Sequence, residues 1–171
     1  YLGRAIQDIA GHTGTGQSNI TPEYRSHAEL QFNLPTLFPD TYLPDVHARL
    51  VFYKRIAGAS SAEELHGLQL EAIDRFGPPP EPAKSLFRIS KLQLDSQAMG
   101  IRRFTLDQNG GRIEFDLHLT IDPGPLLQLM ANQPGVFRMA DGHSVQIRKP
   151  LDAHLARLEF AEKMLAQLAI E

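Results

Sequence analysis

Hydrophobic positions change their period along the chain, and each change marks an element. From Ala28 to Leu34 apolar and polar residues alternate, which predicts a half-buried strand ended by Pro35. Past Asp45 the period lengthens. Val46, Leu50, Tyr53 and Ala57 fall on one stripe with Phe52 and Ile56 beside it, predicting a helix capped by Asp45 and stopped by Gly58. Ser61 and Glu64 have the spacing of a capping box, so a second helix starts after a very short loop and the two helices should form a tight pair. On that second helix Leu65, Leu68, Ala72 and Phe76 share one arc, flanked by Ile73. Glu63, Glu64, Gly67, Glu71, Asp74 and Arg75 occupy the opposite arc, and Gly77 followed by Pro78-Pro79-Pro80 stops the helix.

Pro82 suits the first turn of a third helix, where Ala83, Phe87, Ser90, Leu94 and Ala98 form a stripe. Ile89, Leu92 and Met99 lie elsewhere around it, which predicts a central helix with apolar contacts on several sides. After Gly100 the period becomes two. Phe104 and Leu106 lead into Asn109-Gly110-Gly111, and Ile113, Phe115, Leu117 and Leu119 alternate beyond it, giving a hairpin. Asp122-Pro123 opens a short helix with Leu126, Leu127, Leu129 and Met130, halted before Pro134. A second hairpin joins Val136–Ala140 to Ser144–Arg148 through Asp141-Gly142. A last helix begins near Leu151-Asp152, with Leu151, Leu155, Leu158, Leu165 and Leu168 on its apolar side. These elements predict an α+β fold: a helical N-terminal half packed with small antiparallel β-hairpins and a C-terminal helix.

Ahead of the first strand the pattern fades. Leu2, Ala5, Ile6 and Ile9 read as the end of a preceding amphipathic helix over residues 1–10, and residues 11–25 have linker composition. A start at Tyr1 without an initiator Met suggests a piece of a longer protein whose folded part here is 26–171. The 171 residues fit one domain on a prior of about 100–200 residues each. The absence of cysteine excludes disulfides, thiolate metal sites and a Cys nucleophile, and points to a reducing, cytoplasmic setting. A net charge of -3 argues against a dedicated nucleic-acid binder, and no apolar run approaches the roughly 18–20 residues of a membrane span.

Few constellations suggest chemistry. Gly11 to Ser18 approximates a phosphate-cradling loop, but Gln17 stands where the lysine should be, and neither the strand before nor the helix after is present. The seven histidines include no pair at the i, i+4 spacing of a helical zinc site, and no GxSxG elbow appears. Catalytic, cofactor and metal residues are therefore expected to be absent from this fragment. Arg102-Arg103 with Phe104, together with Arg138 and Arg148, could face phosphates, although arginines on the wet face of a sheet are ordinary. The informative patch is on the second helix. Glu71, Asp74 and Arg75 stand at i, i+3 and i+4, so they cluster, and Glu71 can pair with Arg75. Such a face is either simply solvated or a reversible docking surface. Leu70, off the main apolar arc, hints at the second.

The stretch from Leu43 to Ala57, reading Leu-Pro-Asp-Val-His-Ala-Arg-Leu-Val-Phe-Tyr-Lys-Arg-Ile-Ala, resembles the C-terminal domain of bacterial transcription-repair coupling factors. So do Glu71-Ala72-Ile73-Asp74-Arg75-Phe76-Gly77 and Ala98-Met99-Gly100-Ile101-Arg102, and the likeness runs from about His27 to at least Phe115. The resemblance implies a regulatory, autoinhibitory domain of a cytoplasmic protein whose motor domains use ATP and Mg to translocate on double-stranded DNA, displace stalled RNA polymerase and recruit UvrA. It implies docking on the UvrB-like N-terminal domain of the same protein, with Glu71, Asp74 and Arg75 as the interdomain contact. It implies no cofactor for the fragment itself. The rival readings are a stand-alone nucleic-acid-binding module and, further off, a hydrolase.

Overall fold

A computed structural model describes residues 28–116 and 122–169. The expected helix end, linker and Gly11–Ser18 loop, together with Leu117 and Leu119, lie outside the described residues. In chain order the elements are β1 (Glu29–Gln31), α1 (Val46–Ala57), α2 (Ala62–Phe76), α3 (Glu81–Ala98), β2 (Ile101–Asp107), β3 (Gly110–Phe115), α4 (Gly124–Asn132), β4 (Phe137–Asp141), β5 (Ser144–Arg148) and α5 (His154–Leu168). The fold is α+β, as the periodicity predicts. Both hairpins join a single five-stranded sheet in the order β1-β2-β3-β5-β4. It is mixed: β1 runs parallel to β2, with Leu30 beside Phe104, and all other neighbours are antiparallel.

The β2–β3 hairpin turns one residue earlier than its glycines suggest. Asp107 pairs with Gly110, which leaves Gln108-Asn109 as the turn. Gly110 has φ 126°, and a Cβ on Gly111 would run into the main chain at Thr105, so these glycines serve strand geometry rather than the turn tip.

The described residues form two apolar cores with α3 between them. Phe104, Leu106, Ile113, Phe115, Val145 and Ile147 cover one sheet face and meet Leu92 of α3 and Leu158 and Leu165 of α5. Phe38, Leu43, Phe52, Leu65, Ala72 and Phe87 build the other core, among α1, α2 and the start of α3. The central position of α3 follows from its apolar residues facing two ways. Its buried set is Ala83, Ser85, Phe87, Leu92 and Ser96, so beyond Phe87 it is Leu92 and Ser96 rather than the expected Ser90, Leu94 and Ala98 that face inward. Arg88 on α3 donates from Nε to Glu162 on α5 at 3.0 Å, tying the two lobes together at the surface.

Two expected faces are corrected. On α1 the buried positions are Phe52 and Ile56, while Val46 and Leu50 are 57% and 60% exposed. The loop before the helix decides this: Phe38 packs edge-on to Phe52, and Tyr53 Oη accepts the Phe38 N–H at 2.8 Å, turning that side inward. α5 begins at His154, later than expected, with Leu151 buried ahead of it and Leu155 39% exposed. Arg157, buried on the inner side of α5, donates to the carbonyls of Phe32 and Leu151. Two N-caps agree with the sequence: Asp45 accepts from the His47 N–H and Ser61 from the Glu64 N–H, while the returning bond of the capping box comes to Glu64 from the Ser60 N–H rather than that of Ser61.

Candidate functional site

Sixteen residues separate Arg55 from Glu71, yet the short α1–α2 connection folds the helices back so that these side chains meet across the seam. Arg55 donates from both Nη atoms to the two oxygens of Glu71, at 2.7 and 2.8 Å. This fork-on-carboxylate geometry is the strongest form of exposed ion pair. Arg75, one turn on from Glu71, donates to the same carboxylate at 3.3 Å, as the i, i+4 spacing predicts. Both guanidinium groups lie over Phe52, at 5.4 Å from its ring centroid, and Arg75 also lies 4.9 Å from that of Phe76. The cations are thus held by a carboxylate on one side and aromatic faces on the other.

Electrostatics follow the contacts. The Arg55 hydrogen bond holds the Glu71 carboxyl below its usual 4.5, against a smaller opposing effect of desolvation. The same bond raises the Arg55 guanidinium above its ordinary value. Asp74 is exposed and has no hydrogen-bond or ion-pair partner among the described residues. The structure therefore brings Glu71 and Arg75 together and leaves Asp74 beside them as a free carboxylate. Arg55 is the member that sequence reasoning missed, because it belongs to the neighbouring helix and only the fold brings it near.

Around this cluster the hairpin offers an open groove of about 500 Å³ lined by Arg55, Gly58, Glu64, Gly67, Leu68 and Glu71. Leu70, 52% exposed, stands one turn before Asp74. The C-terminal end of α2 is rigidly placed, since Tyr42 Oη donates toward the carbonyls of Ala72 and Gly77, at 3.2 and 2.9 Å. The arrangement is suited to reversible docking: a fixed shape, one spare negative charge and modest apolar area.

The arginines of the sheet divide into two sets. Arg102 pairs with Glu114, Arg103 with Glu29 and Glu114, and Arg112 with Asp141. Arg138 and Arg148 have no such partner among the described residues. No three metal-ligating side chains converge among the described residues, and no helix of the described residues is long and apolar enough to cross a membrane.

Fold and patch together define a small α+β module whose most organised polar feature is a charge-clasped helical hairpin. Residues 32–126 match the TRCF domain family. A transcription-repair-coupling factor of Escherichia coli (strain K12) is 36% identical over 140 residues, covering 82% of this chain and 12% of that protein. A transcription-repair-coupling factor of Haemophilus influenzae is 37% identical over 145 residues, covering 85% of this chain and 13% of the relative. A solved structure described as the C-terminal domain of transcription-repair coupling factor superposes with a TM-score of 0.63 at 19% identity. That overlap takes in 84% of this chain and 96% of the other, and it establishes the shared fold. The chain belongs to the TRCF domain family of transcription-repair coupling factors, proteins of DNA repair. It spans only about an eighth of the length of these curated relatives.

Proposed function

We propose that this domain is the restraint of a transcription-repair coupling factor. It docks through the α1–α2 hairpin on a UvrB-like N-terminal domain of the same protein, masks the surface that recruits UvrA, and holds back an ATP-driven translocase on double-stranded DNA that removes stalled RNA polymerase. The whole protein works in the cytoplasm, with ATP and Mg bound in the motor domains and no cofactor in this one. The observation that carries the reading is the two-arginine clasp on Glu71 beside the free carboxylate of Asp74. Glu71 spends its charge inside the hairpin and so fixes the site's shape, whereas Asp74 is available to a cation on the partner. A domain tethered by a linker of the composition of residues 11–25 meets its partner at high effective concentration, so modest contacts suffice for closure and release stays easy. If Asp74 becomes desolvated against a cation, losing it costs about 2–5 kcal/mol of docking energy.

Asp74→Arg in the full-length protein tests the reading. UvrA binding and basal ATPase should both rise; unchanged values for both would remove this face from the contact.

A further inference from the structure

The rim of the sheet opposite β1 carries a feature that the hairpin reading does not use. β4 is the terminal strand, pairing with β5 alone among the described residues. Arg148 donates its N–H to the Val136 carbonyl, so bonded pairs alternate from there to Met139, short of the register shift between Met139 and Asp141, and Arg138 turns its main chain toward Gln146. Met139 then directs its N–H and C=O away from the sheet. The Met139 side chain is 45% exposed on the side shared with Phe137, while Arg138 stands on the opposite, open face. Arg148 lies two residues beyond Gln146 on that open face, and neither arginine has a side-chain partner among the described residues.

We propose that the outer edge of β4 is a docking site for an extended protein segment whose side chains alternate between carboxylates and aliphatic groups. The segment adds as a further strand, with its main chain bonded to Met139. Period-two alternation places its acidic residues beside Arg138 and Arg148 and its aliphatic residues over Met139. A second copy of the chain fits poorly, because two β4 edges meeting antiparallel bring Arg138 close to its own counterpart, the usual charge device against edge-to-edge pairing. Phe104, Phe115 and Phe137 all face the core, which leaves no aromatic platform on the open face at these positions for single-stranded nucleic acid.

A synthetic seven-residue peptide alternating Glu and Val, titrated into the 171-residue chain and followed by amide NMR, tests this. The Met139 amide should shift and exchange more slowly. Arg138→Glu should weaken the peptide by about tenfold and favour a Lys/Val counterpart, as expected from turning an attractive cross-strand pair repulsive. Asp74→Arg should leave this binding unchanged, so its outcome is separate from that of the hairpin. Shifts elsewhere, equal affinity for both peptides, concentration-dependent dimerisation through β4, or a response at Arg138 and Arg148 to a short DNA duplex but not to the peptide would each overturn the proposal.

Discussion

Arg157 donates to the carbonyl of Phe32 at 3.1 Å, across 125 residues of sequence, from a position only 5% exposed. Its guanidinium also reaches the carbonyls of Asn33, Leu151 and Asp152. A buried cation is usually matched by a carboxylate; here main-chain oxygens take that place and bind the exit of β1 to the start of α5. Asn33, with φ 54°, makes the turn that presents one of those oxygens. Arg157→Met would keep most of the apolar stem and orphan these acceptors, each costing about 1–3 kcal/mol. Urea unfolding should show a loss of at least about 2 kcal/mol, and a loss below about 0.5 would deny Arg157 this joining role.

The outward turn of α1's apolar stripe has an equally direct check. Leu50→Asp should change stability by no more than about 0.5 kcal/mol, as surface substitutions do. Phe52→Ala, in the core, should cost about 3–5 kcal/mol. Thermal melts of the two variants would reverse in order if the stripe read from the sequence were the buried one.

The Glu71 clasp predicts a pH dependence. Its folded carboxyl titrates below 4.5, so its contribution is fully present above that value and is lost as pH falls through the lowered one. Because Arg55 and Glu71 are 43% and 35% exposed, solvent limits the effect to about 1 kcal/mol or less. Wild type should exceed Glu71→Gln slightly in urea midpoint at pH 7, with the gap closing in acid. A gap that widened below pH 4.5 would contradict the clasp.

Gly111 sits inside a strand where a methyl group meets the main chain of Thr105 and Leu106. Gly111→Ala must therefore move β2 away from β3 and should destabilise by more than about 2 kcal/mol. Gly67→Ala makes the contrast. Its Cβ has nothing within 4 Å, and the exposed helix interior favours Ala by about 1 kcal/mol. Differential scanning calorimetry should move the two variants in opposite directions.

Element identity was legible because local signals agreed with the fold: Ser61 with Glu64, Gly77 before three prolines, and strict alternation from Ile113 to Phe115. What failed did so for tertiary reasons. Val46-Leu50 and Phe52-Ile56 have the same helical spacing, and only Phe38, on the loop before the helix, packed on Phe52 and bonded to Tyr53, selects the second pair. The parallel pairing of β1 with β2 joins segments 74 residues apart, as the Arg103–Glu29 contact shows, and nothing local announces it. In the candidate site the i, i+4 pair of Glu71 and Arg75 was readable; Arg55 was not, since its distance from Glu71 is set by a hairpin rather than by a helix.

On α3, Phe87 enters the helical core and Leu92 the sheet core, five positions apart on one rod. Among the described residues neither core has a complete wall without that rod, so a cut on either side of α3 would leave one of the two cores open.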